Sequence, residues 1–259
     1  MFTPIRGLVA ATLIAGSALV ATPAFAQDEA TSDFTISGNA SVVSEYRFRG
    51  VDLSGGDIAI QGGIDVGHSS GFYVGTWGSS LDEDTVGYGH TELDLYGGWT
   101  GEVTDGLTLD VGAIYYAYPN APAGDFDYFE GKVALGFGLG PVSAKASVFY
   151  APDQDSLGGT DNLYLSGDLS AAIPGTPISL SAHAGYTDGF LTFTNNGKAW
   201  DWSIGASVAL HEKITLGISY IDAEGGPKTL DTNGSPTVAD DFIYDFTDSA
   251  IVATLTAKF

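Results

Sequence analysis

Twelve times in this chain, apolar and polar side chains alternate over runs mostly 10 to 13 residues long. Leu107, Leu109, Val111, Ala113 and Tyr115 fall on one face of such a run, and Thr108, Asp110, Gly112 and Tyr116 on the other, with Ile114 the exception. Ile178, Leu180, Ala182, Ala184 and Tyr186 repeat the pattern, as do Trp200, Trp202, Ile204, Ala206, Val208 and Leu210, and then Ile214, Leu216, Ile218 and Tyr220. Period two means strands with two unlike faces. The expected spans are 33–46, 57–67, 71–80, 90–100, 106–117, 126–138, 142–151, 161–172, 177–187, 199–210, 213–222 and 247–259. Strands of soluble proteins are most often about 5–6 residues long. A tilted strand crossing a bilayer needs roughly 9–11.

The connections alternate as well. Ser69-Ser70, Gly101 to Asp105, Leu139-Gly140-Pro141, Pro174-Gly175-Thr176 and His211-Glu212 are short. The links Arg47 to Gly56, Leu81 to Gly89, Tyr118 to Asp125, Pro152 to Thr160, Asp188 to Lys198 and Ala223 to Phe246 are longer and polar. Outer-membrane barrels have short periplasmic turns and longer outer loops. An open sheet in hydrocarbon leaves edge amides and carbonyls unpaired at several kcal/mol each, so the strands must close on themselves. The fold class expected is therefore all-β: a single closed antiparallel transmembrane β-barrel of about 12 strands. A soluble barrel would turn the apolar face inward; strand length and link alternation favour the membrane form.

The N-terminus supports export. Arg6, an apolar run from Leu8 to Val20 and Ala24-Phe25-Ala26 have the order of a secretory signal peptide, which makes 1–26 the signal and 27–259 the barrel. Beyond it no stretch of 18 apolar residues remains, so no helical span is expected. Removing the signal takes one arginine away, and the mature charge is 8 − 32 = −24 with histidine neutral. A surface so acidic repels nucleic acid. There is no cysteine, so no disulfide holds the fold. Phe34, Tyr46, Phe72, Trp99, Tyr115, Tyr150, Tyr186, Trp200, Tyr220 and Phe259 lie near strand ends, where interfacial girdles belong.

On the inner face the phase places Glu45, Arg47, Asp65, Glu92, Asp94, Asp110, Glu130, Lys132, Lys145, Asp168, His183, Asp201 and Lys258, eight acids against four formal cations. Such a face must meet water or partners, because an isolated buried charge is costly. One reading is a wet, acidic lumen that passes small solutes and favours cations. A second is a structural or surface-interaction barrel, plugged by salt bridges and without an open pore, and a third is an envelope enzyme. In the stretch SEYRFRG, from Ser44 to Gly50, Arg47 points inward and Arg49 is expected at the rim, where the pair would clamp the acidic mouth. Turned outward, the arginines would instead meet lipopolysaccharide phosphate.

No catalytic, cofactor or metal site is expected. GxSxG is absent, and His68 and His211 lie at turns. His90 stands near an outer loop beside Asp82-Glu83-Asp84, and His183 is mid-strand. Asp82-Glu83-Asp84, Asp153-Gln154-Asp155 and Asp240-Asp241 match no closed Ca²⁺ loop and read as solvated loops. The partners expected are outer-membrane lipid, the barrel-assembly machinery and small solutes, with no nucleic acid. Oligomeric state stays open.

The run from Asn39 to Ser54, NASVVSEYRFRGVDLS, resembles the opening of a proteobacterial envelope family described as TorF-type porins or by a Gcw-type domain label. Asn39, Ser44, Tyr46, Arg49 and Gly50 match its outline, N-x-x-x-x-S-x-Y-x-x-R-G-x-x-x-S. Ile60 to Asp65 and Gly71 to Ser79 are also similar, although Ile58-Ala59-Ile60 stands where a paired proline is expected. The resemblance implies a bacterial outer-membrane barrel, brings no catalytic residue with it, and leaves the solute undefined. The terminal Phe259 resembles the assembly signal of such barrels.

Overall fold

A computed structural model describes residues 32–85, 87–122, 126–192, 194, 196–224 and 246–259. The signal segment 1–26 and residues 225–245 of the sixth link, Asp240-Asp241 included, lie outside the described residues. The strands in chain order are β1 (Phe34–Val43), β2 (Arg47–Phe48), β3 (Val51–Asp52), β4 (Ala59–His68), β5 (Phe72–Ser80), β6 (Thr91–Thr104), β7 (Leu107–Ala117), β8 (Tyr128–Leu139), β9 (Val142–Gln154), β10 (Thr160–Ala172), β11 (Ile178–Gly189), β12 (Lys198–His211), β13 (Ile214–Ala223) and β14 (Ala250–Lys258). All but β2 and β3 form one closed antiparallel barrel of twelve strands. Each wall strand pairs with its neighbours in sequence, and β1 closes the ring by pairing with both β4 and β14.

The direction of the side chains follows the alternation. Leu180, Ile204, Leu216, Ile218, Ile251 and Leu255 face outward and are exposed, Ile204 by 56% and Ile251 by 68%. Their cross-strand partners keep them on one surface, as in Leu216 opposite Leu255 and Ile218 opposite Ala253. An apolar surface running around the whole wall far exceeds the patch of a few hundred Å² that a soluble monomer leaves in water. Hydrocarbon is the solvent that matches it, and the closed ladder satisfies the backbone there. Ile114, the exception in β7, faces inward and is buried. Leu109, whose orientation would have betrayed a dry soluble core, is half-buried on the outer face.

The inward face carries aromatics that need room. Gly98 and Gly112 lie opposite each other on β6 and β7. The Tyr73 hydroxyl stands 2.7 and 2.8 Å from where their Cβ atoms would be. Glycine there lets a luminal tyrosine lie flat against the wall. The rim with the long links is termed the loop end, and the opposite rim the turn end.

Candidate functional site

The expected strand 33–46 ends early, and its ending makes the site. The Ser44 amide donates to the Ala253 carbonyl at 2.9 Å, and its hydroxyl accepts from the Ala253 amide, also at 2.9 Å. A side chain thus takes over the ladder with β14, and the chain leaves the wall. It then forms a small hairpin, β2 paired with β3 through Arg47 opposite Asp52 and Phe48 opposite Val51. This hairpin folds into the barrel: Tyr46, Arg47, Asp52, Leu53 and Ser54 are all buried. Arg49 and Gly50 form its two-residue turn with φ of 50° and 80°. Both central residues at positive φ make the turn type I′, whose twist matches the flanking strands. Glycine suits the second position, and arginine is unusual at the first.

Asp52 and Ser54 close the base. Asp52 accepts from the Ser54 amide at 2.8 Å and the Gly56 amide at 2.7 Å. Ser54 Oγ accepts from the Tyr46 amide at 2.8 Å and donates to the Asp57 carbonyl at 2.8 Å. The Leu53 amide bonds the Tyr46 carbonyl at 2.9 Å. A folded plug, pinned at its own base, therefore stands where an open first loop was expected.

The two arginines fasten the plug to opposite walls. The Arg47 guanidinium donates to the carbonyls of Gly50 at 3.1 Å, Phe246 at 3.0 Å and Asp248 at 2.8 Å, and also pairs with Glu45. Burial pushes the Glu45 carboxyl up from its ordinary value, while Arg47 beside it pulls the other way. Arg49 crosses the lumen. Its Nη2 meets Glu130 Oε2 on β8 at 2.6 Å. Its guanidinium carbon lies 4.2, 4.7 and 5.6 Å from the ring centres of Tyr164, Phe48 and Phe149. A planar cation boxed by rings and paired with a buried carboxylate is a task that lysine performs poorly. Phe48 packs edge-on against Tyr116 of β7, with ring centres 5.8 Å apart.

Arg49 was expected at the rim. It stands inside the barrel instead, because the hairpin turns inward after Ser44. For the same reason neither arginine is presented to lipopolysaccharide phosphate. Glu45 and Arg47 are luminal as expected but belong to the plug, not to the wall. Tyr46, assigned to an interfacial girdle by its phase, is buried in the lumen, since the strand whose phase was extended stops at Val43.

The wall residues fall into three groups. Glu92 and Asp94 on β6 and Glu130 on β8 are buried under the plug, among Tyr116, Tyr118 and Tyr128. Beyond them, Lys132 Nζ bonds Asp110 at 2.9 Å, Tyr73 donates to Asp110 at 2.8 Å, and Tyr96 donates to Asp65 at 2.6 Å. Further round the wall, Lys145 meets Asp168 at 3.3 Å, and His183 lies between Asp168 at 2.7 Å and Asp201 at 3.0 Å, with Tyr164 at 2.9 Å. This last group is wetter: the Lys145 side chain is 40% exposed. Lys258 is half-buried near the turn end. Both His183 nitrogens face carboxylates, which leaves none free to take a proton from a nucleophile.

The luminal tyrosines were not singled out from the sequence. Tyr73, Tyr96, Tyr116, Tyr128 and Tyr164 line the inner face, and their phase with neighbouring acids was the available signal. Among the described residues no three His, Asp or Glu side chains gather as a metal site. Phe259 lies exposed at the turn end, its amide and carbonyl bonded to Gly38 at 3.0 and 2.9 Å.

A family model described as "Bacterial protein of unknown function (Gcw_chp)" matches residues 27–259. The chain belongs to the Gcw_chp family. For Gcw_chp the match runs through plug and barrel alike. No curated protein sequence matches the chain. Among solved structures, the "KdgM porin" is similar with a TM-score of 0.54 at 5% identity, covering 86% of this chain and 98% of that one. The "KdgM porin in complex with disordered oligogalacturonate" is similar with a TM-score of 0.53 at 5% identity, covering 86% and 97%. These likenesses concern the fold: this Gcw_chp chain shares the closed-barrel architecture of those two structures.

Proposed function

We propose that the chain is a porin-like channel of the bacterial outer membrane, of the TorF type, that passes small solutes and has the first-loop hairpin as its constriction. The observation that carries this reading is a polar, ion-paired lumen crossed by a folded loop. Selective pores are built in this way, from charged side chains lining a narrow aqueous path. The apolar outer face, the signal-like N-terminus and the Gcw_chp membership support the outer-membrane address. In this reading Phe259 is the residue that the barrel-assembly machinery recognises.

Acids outnumber cations along the expected lining, so small cations and neutral solutes are favoured and a polyuronate is disfavoured. The protein transports and does not catalyse. A second reading has its own support. Glu130 is 0% exposed and Glu92 1%, which suits a barrel that stays closed.

Planar-bilayer recording of the intact chain, and of a variant with residues 46–54 replaced by a short Gly-Ser link, separates the readings. The channel reading expects discrete steps from the intact chain, a reversal potential on the potassium side in a KCl gradient, and several-fold larger steps from the variant. A folded intact barrel that never conducts overturns it in favour of the closed barrel.

A further inference from the structure

Glu92 and Asp94 are consecutive inward residues of β6, Asp94 2% exposed. Glu92 Oε2 and Asp94 Oδ1 have no hydrogen-bond partner. Neither carboxylate takes part in an ion pair among the described residues. Arg49 is engaged by Glu130, and Glu130 itself lies near enough to add its charge to the field at Asp94. A third polar group points into the same space from the plug. The Tyr46 ring centre lies 5.7 Å from that of Trp77, the cross-strand partner of Asp94. The Tyr46 hydroxyl, on a residue 2% exposed, is directed at the Glu92 carboxyl without reaching normal hydrogen-bond geometry.

Two carboxyl groups and a phenol are therefore buried together, and neither carboxyl has an ion-pair partner among the described residues. An unpaired buried carboxylate is among the costliest groups a fold can hold, and orphaned buried polar atoms in a native protein point to a missing partner. The donors are all oxygen, the charge is minus two once both carboxyls are ionised, and the groups come from the β6 wall and from the plug facing it. From this we infer that Glu92, Asp94 and the Tyr46 hydroxyl hold one hard divalent cation, Ca²⁺ or Mg²⁺, beneath the plug.

Oxygen donors select such ions, and Mg²⁺ in particular is held by one or two carboxylates with water completing its shell. The ion neutralises the compartment and ties Tyr46 of the plug to β6 of the wall. It thus clamps the hairpin in place. The site has no sequence motif because four strands, β2 to β5, separate Tyr46 from Glu92 along the chain. The inference stands whether or not the pore conducts.

The test uses the full chain, purified in detergent, and its thermal unfolding. Metal analysis after desalting is expected to give one divalent ion per chain. After stripping with EDTA, CaCl2 or MgCl2 raises the melting temperature in a saturable way, and NaCl of equal ionic strength does not. E92Q/D94N abolishes the response or raises the half-saturating concentration at least tenfold, and Tyr46→Phe raises it less. An unchanged response in E92Q/D94N places the ion on surface acids and overturns the site. So does a wild-type barrel that retains no divalent ion and is stabilised by acid alone, since the carboxylates then share a proton. If E92Q/D94N does not fold, Tyr46→Phe and the metal count of the wild type decide the matter by the same criteria.

Discussion

Arg49 occupies a left-handed backbone position that a residue with a side chain adopts only when the surroundings enforce it. Enforcement comes from the far end of its side chain, where Glu130 and three rings hold the guanidinium. Removing one partner of a buried ion pair leaves the other stranded, at about 3–5 kcal/mol. Arg49→Gln is expected to destabilise the barrel by a similar amount in a urea titration. R49Q/E130Q should recover part of that loss, and a double-mutant cycle with no coupling between the two positions would contradict the pairing. The pairing was not legible in the sequence. Arg49 and Glu130 are 81 residues apart. Only the inward course of a hairpin brings them together. By contrast, Asp65, Asp110 and Asp168 were legible, because a regular strand carries phase from one residue to the next.

At the scale of elements the same contrast holds. The strand pattern was readable because two solvents, oil and water, act on alternate residues. β7 was expected at 106–117 and runs Leu107–Ala117, and β10 was expected at 161–172 and runs Thr160–Ala172. β1 fell short of its expected end because Ser44 replaces a backbone ladder bond with a side-chain one, an event that leaves no mark on hydropathy. β2 and β3 have two residues each, too few for any period to show. The resemblance of Asn39 to Ser54 to a family opening flagged this segment without revealing its shape. Ser44, Tyr46, Arg49, Gly50 and Ser54 are among the residues that build the plug. The closing seam depends on another single residue. β1 meets β14 over five residue pairs, against ten with β4, and Phe259 adds its two backbone bonds to Gly38 beyond them. Deleting Phe259 is expected to lower the yield of heat-modifiable folded barrel on a gel, with an undiminished yield counting against its assembly role.

For the whole molecule, one sorting rule underlies the fold and the address and transport proposed for it: apolar side chains face outward, and polar ones face the interior. Everything proposed for the plug presupposes it, since a hairpin carrying buried arginines belongs in a polar lumen and nowhere else in a bilayer. The chain has no cysteine, so single cysteines can report each face without background. Reconstituted in lipid vesicles, cysteines at Leu180, Ile204 and Ile218 are predicted to resist a charged water-soluble thiol reagent. Cysteines at Lys145, Ser181 and Ser203 are predicted to react. The reverse pattern, with the first three labelled and the last three inert, would contradict the account.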